Sequence, residues 1–199
     1  MNELKKYSAG IYNPSESCIF KKNNEAFGGL SNMSTEYPLL VNSCLVRTNE
    51  ALYQAMKFPY HPEVQKEILE QKSPMAVKIV TRKNDRIVRG DLESVKVDIM
   101  RWCLRVKLAQ HFSKFGSLLE STGLKFIVEN SSRDSFWGAK LNKEGNFEGR
   151  NVLGRLLKEL REIYMSEKRE SLLLVAPPPI SNLILCGQPI EIIDGRPNN

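Results

Sequence analysis

The densest run of side chains able to do chemistry is residues 49–58, NEALYQAMKF. Placed on a helix at about 100° per residue, Glu50, Tyr53, Gln54 and Lys57 fall within one sector of roughly 100°. Ala51, Leu52, Ala55, Met56 and Phe58 take the other side. Two readings are open. As a solvated face, Glu50, Gln54 and Lys57 stabilise one another by a few tenths of a kcal/mol. As a cleft wall, the same face offers a carboxylate, a phenol, an amide and an amine. That is a base, a set of hydrogen-bond donors and, in Lys57, an amine nucleophile.

Three further clusters carry the same double reading. In SSRDSFWGAKL, residues 131–141, Asp134 precedes Trp137 by three and Gly138 follows it. A loop Trp-Gly makes either a stacking platform, with glycine admitting a ligand to the backbone, or a buried turn anchor. In FGGLSNM, residues 27–33, the glycines permit unusual dihedrals and Asn32 offers hydrogen bonds, unless the segment is a plain turn. In GRNVLGRLL, residues 149–157, Arg150 and Asn151 precede a helix. They read as a cap or as an anion site at a helix start.

The elements that must position these residues follow from pattern. Short apolar runs at 17–20 and 37–46 read as strands, separated by a turn-rich stretch. Thr48 caps a helix expected to reach Phe58, where Pro59 stops it. Pro62 opens a second helix and Ser73-Pro74 a third. A long helix spans 92–111, with Val95, Ile99, Trp102, Val106 and Ala109 on one buried stripe. Residues 124–128 read as a strand. A last helix runs over 151–164, with Val152, Leu156, Leu160 and Ile163 on one face. After Ser166 the composition shifts to short β-prone runs split by prolines. These are expected to form an extension packed on the domain or on a partner. The fold class is α+β, a single mainly helical domain with a small β-sheet. Its expected organisation is an N-terminal segment 1–19, a domain 20–165 and a C-terminal extension 166–199.

With 199 residues and 41% hydrophobic composition the chain can bury a core. Its net charge of +6 suits an anionic ligand or a transient nucleic-acid contact, although ordinary solvated surfaces carry as much. The cysteines, Cys18, Cys44, Cys103 and Cys186, are scattered, and MNELKKYSAG has no apolar run. Free thiols in a reducing, cytoplasmic setting are expected. No CxxC, HExxH, Walker A, GxGxxG or GxSxG occurs, and His61 and His111 are the only histidines. No metal, no cofactor and no membrane span are expected.

Taken in order, FGGLSNM (27–33), NEALYQAMKF (49–58), SPMAVK (73–78), LESVKVDIM (92–100), LRVKLAQH (104–111), LLESTG (118–123), DSFWG (134–138) and GRNVLGRLLKELR (149–161) resemble the NADAR family over roughly residues 20–164. The chain departs from the pattern at Ala51, where the family has His, at Leu92 for Trp, and at Met33 and Leu108 for aromatics. The resemblance implies that family's fold and an N-glycosidase cleaving the C1′–N bond of a phosphorylated ribose. The implied substrates are ribosylamino-pyrimidine intermediates of riboflavin synthesis or ADP-ribosylated guanine, with nucleic acid as a carrier of the modification. Implied roles follow. Glu50 stabilises the oxocarbenium ion, Asp134 activates water or protonates the leaving nitrogen, and Lys57 is the alternative nucleophile. Trp137 stacks, beside Gly138. Asn32, Tyr53 and Gln54 bind substrate, and Arg82, Lys107, Arg150 and Asn151 meet phosphate. Glu50, Lys57, Asp134 and Trp137 are expected to line one concave site. The departures point to a roomier pocket and so favour the ADP-ribosyl substrate. A module that binds ADP-ribose without cleaving it, and a basic adaptor, are the competing readings.

Overall fold

The structure is a computed structural model that describes residues 7–196; the first six residues of the N-terminal segment lie outside it. In chain order the strands are β1 (Gly10–Tyr12), β2 (Ser17–Phe20), β3 (Leu39–Val41), β4 (Cys44–Val46), β5 (Phe126–Glu129), β6 (Lys140–Leu141), β7 (Phe147–Gly149), β8 (Leu174–Val175), β9 (Ile184–Leu185), β10 (Gln188–Pro189) and β11 (Ile193–Asp194). The helices are α1 (Asn49–Ala55), α2 (Pro62–Glu70), α3 (Pro74–Lys83), α4 (Leu92–Gln110), α5 (Phe112–Ser121) and α6 (Val152–Tyr164). The class is α+β, as expected, with more helix than strand. The helix α5 had no counterpart in the sequence reading. No helix among the described residues is long and apolar enough to cross a membrane.

The chain forms two compact units, neither contiguous in sequence. The first joins the residues up to Ser31 to Ser113–Glu170. In it β2 and β5 pair in parallel, Cys18 opposite Ile127 and Phe20 opposite Glu129. A small antiparallel sheet runs β1-β7-β6. Helix α6 lies on β5, and glycine sets how closely. A Cβ at Gly154 would stand 1.9 Å from the Ile127 carbonyl oxygen. At Gly116 on α5 a Cβ would stand 2.1 Å from the Tyr164 ring, so the two helices approach through that hydrogen.

The second unit joins Asn32–Phe112 to the residues from Ser171 onward. The β3–β4 hairpin turns through Asn42 (φ 49°) and Ser43 (φ 61°), both left-handed, as two-residue hairpin turns require. Helices α1, α2 and α3 pack on one another, and α4 packs on α1, β3, β8 and β11. The tail is part of this unit's core: Leu172, Val175, Leu183, Leu185, Ile190 and Ile193 are buried. Buried Gln65 on α2 ties it down, donating to the Ile184 carbonyl at 2.8 Å and accepting from the Cys186 N–H at 2.7 Å. Asn42 donates to the Pro189 carbonyl at 2.9 Å.

Candidate functional site

In the second unit the chemistry gathers on α1. Thr48 Oγ1 accepts from the Ala51 N–H at 3.2 Å, the cap the sequence predicts. The helix stops at Ala55, earlier than expected. The N–H groups of Lys57 and Phe58 reach back only three residues, to the Gln54 and Ala55 carbonyls, in a tightened final turn ahead of Pro59. Lys57 thus stands in that turn rather than on a helical face. Every residue of α1 is buried, Glu50 and Gln54 at 6% exposure and Tyr53 at 4%. The solvated-face reading is thereby overturned. Asn32 anchors the start of α1: its carbonyl accepts from the Glu50 N–H at 2.9 Å and its Oδ1 from Asn49 Nδ2 at 2.8 Å.

Gln54 Nε2 donates to Glu50 Oε1 at 2.9 Å, and Lys78 Nζ on α3 stands 3.5 Å from the same oxygen. Among the described residues these contacts occupy Oε1 and leave Oε2 without a partner. Gln54 Oε1 is likewise buried with no donor. Two acceptor atoms at this carboxylate thus lack donors among the described residues. Lys57 Nζ lies 4.9 Å from the Tyr53 ring centre. Burial lowers its pKa; Glu50 opposes that shift, while Lys78 and Lys96 add to it. Lys96 itself pairs with Glu93 at 2.5 Å. The result is a buried carboxylate facing Lys78, with Lys57 and Lys96 adding positive charge around it, a set suited to a developing cation on an anionic substrate.

Two expected phosphate contacts stand differently. Arg82 is exposed on α3, one turn beyond Lys78. Lys107 is fully buried within α4, its Nζ 4.5 Å from the Tyr37 ring centre. A phosphate in solvent cannot meet it there, and the expectation is corrected accordingly. Burial lowers the Lys107 pKa from 10.5 to about 7. The unfolded chain then binds the extra proton more tightly, so stability rises with pH from about 7 toward the ordinary lysine range. Urea melts should show the wild type gaining stability between pH 6.5 and pH 9. Lys107→Met should flatten that dependence and stabilise the protein at the lower pH; a Met variant with the same pH slope would refute this.

In the first unit, Asp134 Oδ1 accepts from the Phe136 and Trp137 N–H groups at 2.8 and 2.9 Å. It folds its own loop, and among the described residues Oδ2 has no partner. Trp137 is half-buried, edge-on to Phe136 with centroids 5.0 Å apart. The start of α6 is not an anion site. The Val152 and Leu153 N–H groups donate to the Phe136 and Trp137 carbonyls, both at 3.0 Å, which consumes the donors an anion would use. Asn151 sits in the left-handed region (φ 48°) with no capping bond. Its Nδ2 donates to the Ile127 carbonyl at 2.8 Å and its Oδ1 accepts from the Glu129 N–H at 3.2 Å. Asn151 is thus a clamp on β5, and its expected phosphate role is corrected. Gly138 serves the same junction, since a Cβ there would stand 2.6 Å from the Glu129 carbonyl oxygen. Arg150 is exposed, its guanidinium 5.6 Å from the Phe136 ring centre. Both residues line a cavity of about 480 Å³ with Lys140, Asn142 and Glu148.

The NADAR domain family matches residues 19–164. The chain belongs to the NADAR family. This NADAR chain is 34% identical over 149 residues to N-glycosidase YbiA of Escherichia coli strain K12, covering 75% of the chain and 89% of the relative. It is 31% identical over 145 residues to riboflavin biosynthesis protein VVA0006 of Vibrio vulnificus, covering 72% of the chain and 37% of that protein. An NMR structure of the E. coli protein YbiA superposes with a TM-score of 0.63 at 34% identity, covering 73% of this chain and 83% of that one.

Two NADAR residues were not singled out from sequence: Lys78, which faces Glu50, and Lys96, which acts on Lys57. Each is a charge inside a matching segment, SPMAVK and LESVKVDIM. The departures also look different in three dimensions. Ala51 and Leu108 are core positions, 2% and 0% exposed, and Leu92 is half-buried at the start of α4. An aromatic at 108 would pack rather than stack on a ligand, so the argument for a roomier pocket falls.

Proposed function

We propose that this protein hydrolyses the C1′–N bond of a phosphorylated riboside, with Glu50 facing the cation that develops at C1′. The observation carrying this reading is the buried Glu50 carboxylate, held through Oε1 by Gln54 and Lys78 with Oε2 left unpartnered among the described residues. A fixed charge in a site that excludes water stabilises oxocarbenium character strongly. The Gln54 Oε1 acceptor suits a ribose hydroxyl, and Lys57, Lys78 and Lys96 suit its phosphate. The lowered pKa of Lys57 supports a second route, in which the neutral amine attacks C1′ before water does.

The relatives with riboflavin biosynthesis names favour a ribosylamino-pyrimidine phosphate as substrate, ahead of ADP-ribosylated guanine. Incubation with each, followed by mass spectrometry, should show release of the pyrimidine base with the higher specificity constant. Preference for the ADP-ribosylated substrate would reverse the order. Binding of either without base release would make the protein a non-catalytic module.

A further inference from the structure

The opposite side of α4 from the carboxylate carries a second set of unused groups. Met100 and Cys103 face Glu50's side of the helix: Met100 Sδ meets Asn32 Nδ2 at 3.2 Å, and Glu50 helps raise the Cys103 pKa, behind burial. Asp98, Arg101, Trp102 and Arg105 lie about half a turn round from them. These four, with Ala176 and Pro177–Pro179 of the tail, line a cavity of about 290 Å³. Three features of this cavity are unresolved by the fold. Trp102 is 2% exposed, and among the described residues its buried indole N–H has no acceptor. Arg105 is half-buried and, among the described residues, has no hydrogen bond or ion pair. Its neighbour Arg101 pairs with Asp98, which leaves the cavity one positive charge in excess.

We infer that this cavity is a binding site for a small planar organic anion, an aromatic carboxylate in chemical class. Each wall argues for one part of the ligand. The guanidinium fork of Arg105 matches a carboxylate. The three prolines present rigid apolar rings and no N–H donors, which suits the face of a ring. A buried indole N–H without an acceptor keeps an unrelieved desolvation cost, and a carboxylate oxygen relieves it. The volume is at the lower end for ligand pockets, so a single ring fits. The site is separate from Glu50 and does not depend on the proposed glycosidase reaction.

The test uses the full chain with ¹⁵N-labelled tryptophan, benzoate as the probe and Trp137→Phe to assign the two indole signals. Benzoate should shift the Trp102 indole N–H signal saturably at millimolar concentration. Arg105→Gln should weaken that binding about tenfold or more, the loss of one charge-assisted hydrogen bond. Arg105→Lys, which keeps the charge but not the fork, should weaken it less. An unchanged thermal melt of each variant shows that the fold is intact. No shift at about 10 mM benzoate, ten times a millimolar Kd, would overturn the proposal. So would a shift that survives Arg105→Gln, or one that inorganic phosphate produces equally well.

Discussion

Glu50→Gln is expected to lower turnover by about 10²–10³-fold, the usual cost of one transition-state electrostatic contact, with the protein still folded. The substitution preserves shape, and the new amide oxygen still accepts from Gln54 Nε2. What disappears is the negative charge beside Lys57 and Lys78. Substrate affinity should hold or improve slightly, because three amines remain to meet phosphate. The loss should therefore appear in kcat rather than KM. A further consequence follows at Lys57. Glu50 is the charge that most supports its protonation, so its pKa should fall further in the variant. Rate measurements on the ribosylamino-pyrimidine phosphate, with a thermal melt as control, check both. Near-normal kcat in the Gln variant would remove Glu50 from the mechanism.

Gly154→Ala is expected to cost more than 4 kcal/mol or prevent folding, although the residue touches no substrate in the proposed mechanism. The added methyl would stand 1.9 Å from the Ile127 carbonyl oxygen and 2.5 Å from Asn151 Nδ2. Neither can retreat cheaply: Ile127 lies in the β5 pairing with β2, and Asn151 donates to the same carbonyl. Separating α6 from β5 would open the packing around Val152, Leu156 and Val128, all buried. Chemical denaturation is the measurement, and a loss below about 1 kcal/mol would show that the helix can slide. The two substitutions lie in matching family segments yet should fail in opposite ways, one in rate and one in stability.

Local chemistry was the legible part of the sequence. The Thr48 and Ser73 caps, the Pro62 and Pro74 helix starts, and the four-residue spacing of Glu50 and Gln54 all rest on contacts within one turn. What the sequence hid depends on distant partners. That α1 is buried on all sides requires α2, α3 and α4 around it. The donors at the start of α6 are consumed by carbonyls about sixteen residues earlier, a pairing that no cap pattern reveals. Asn151 reads as a helix cap, but its left-handed backbone turns the side chain to β5 instead. Lys107 looks like any surface lysine until α4 proves buried around it. For the pairing of Glu50 with Lys78, spacing gives no hint, since separate helices bring the two together.

The interleaving of the two units bears on how the protein is made. Residues 32–112 emerge from the ribosome as a body interrupting the first unit, and they lack the strands β8 and β11 that cover α4. The first unit can close once Glu170 has emerged. The second cannot close until Ile193 has, because its core waits for Leu185, Ile190 and Ile193. The region matching the family ends at residue 164. A chain cut at that point would keep Glu50 and every segment of the family pattern, yet leave Gln65 and α4 facing water. Residues beyond the family match thus complete the unit that holds the carboxylate, and a chain stalled on the ribosome between Glu170 and Ile193 should be resistant to protease in its first unit before its second.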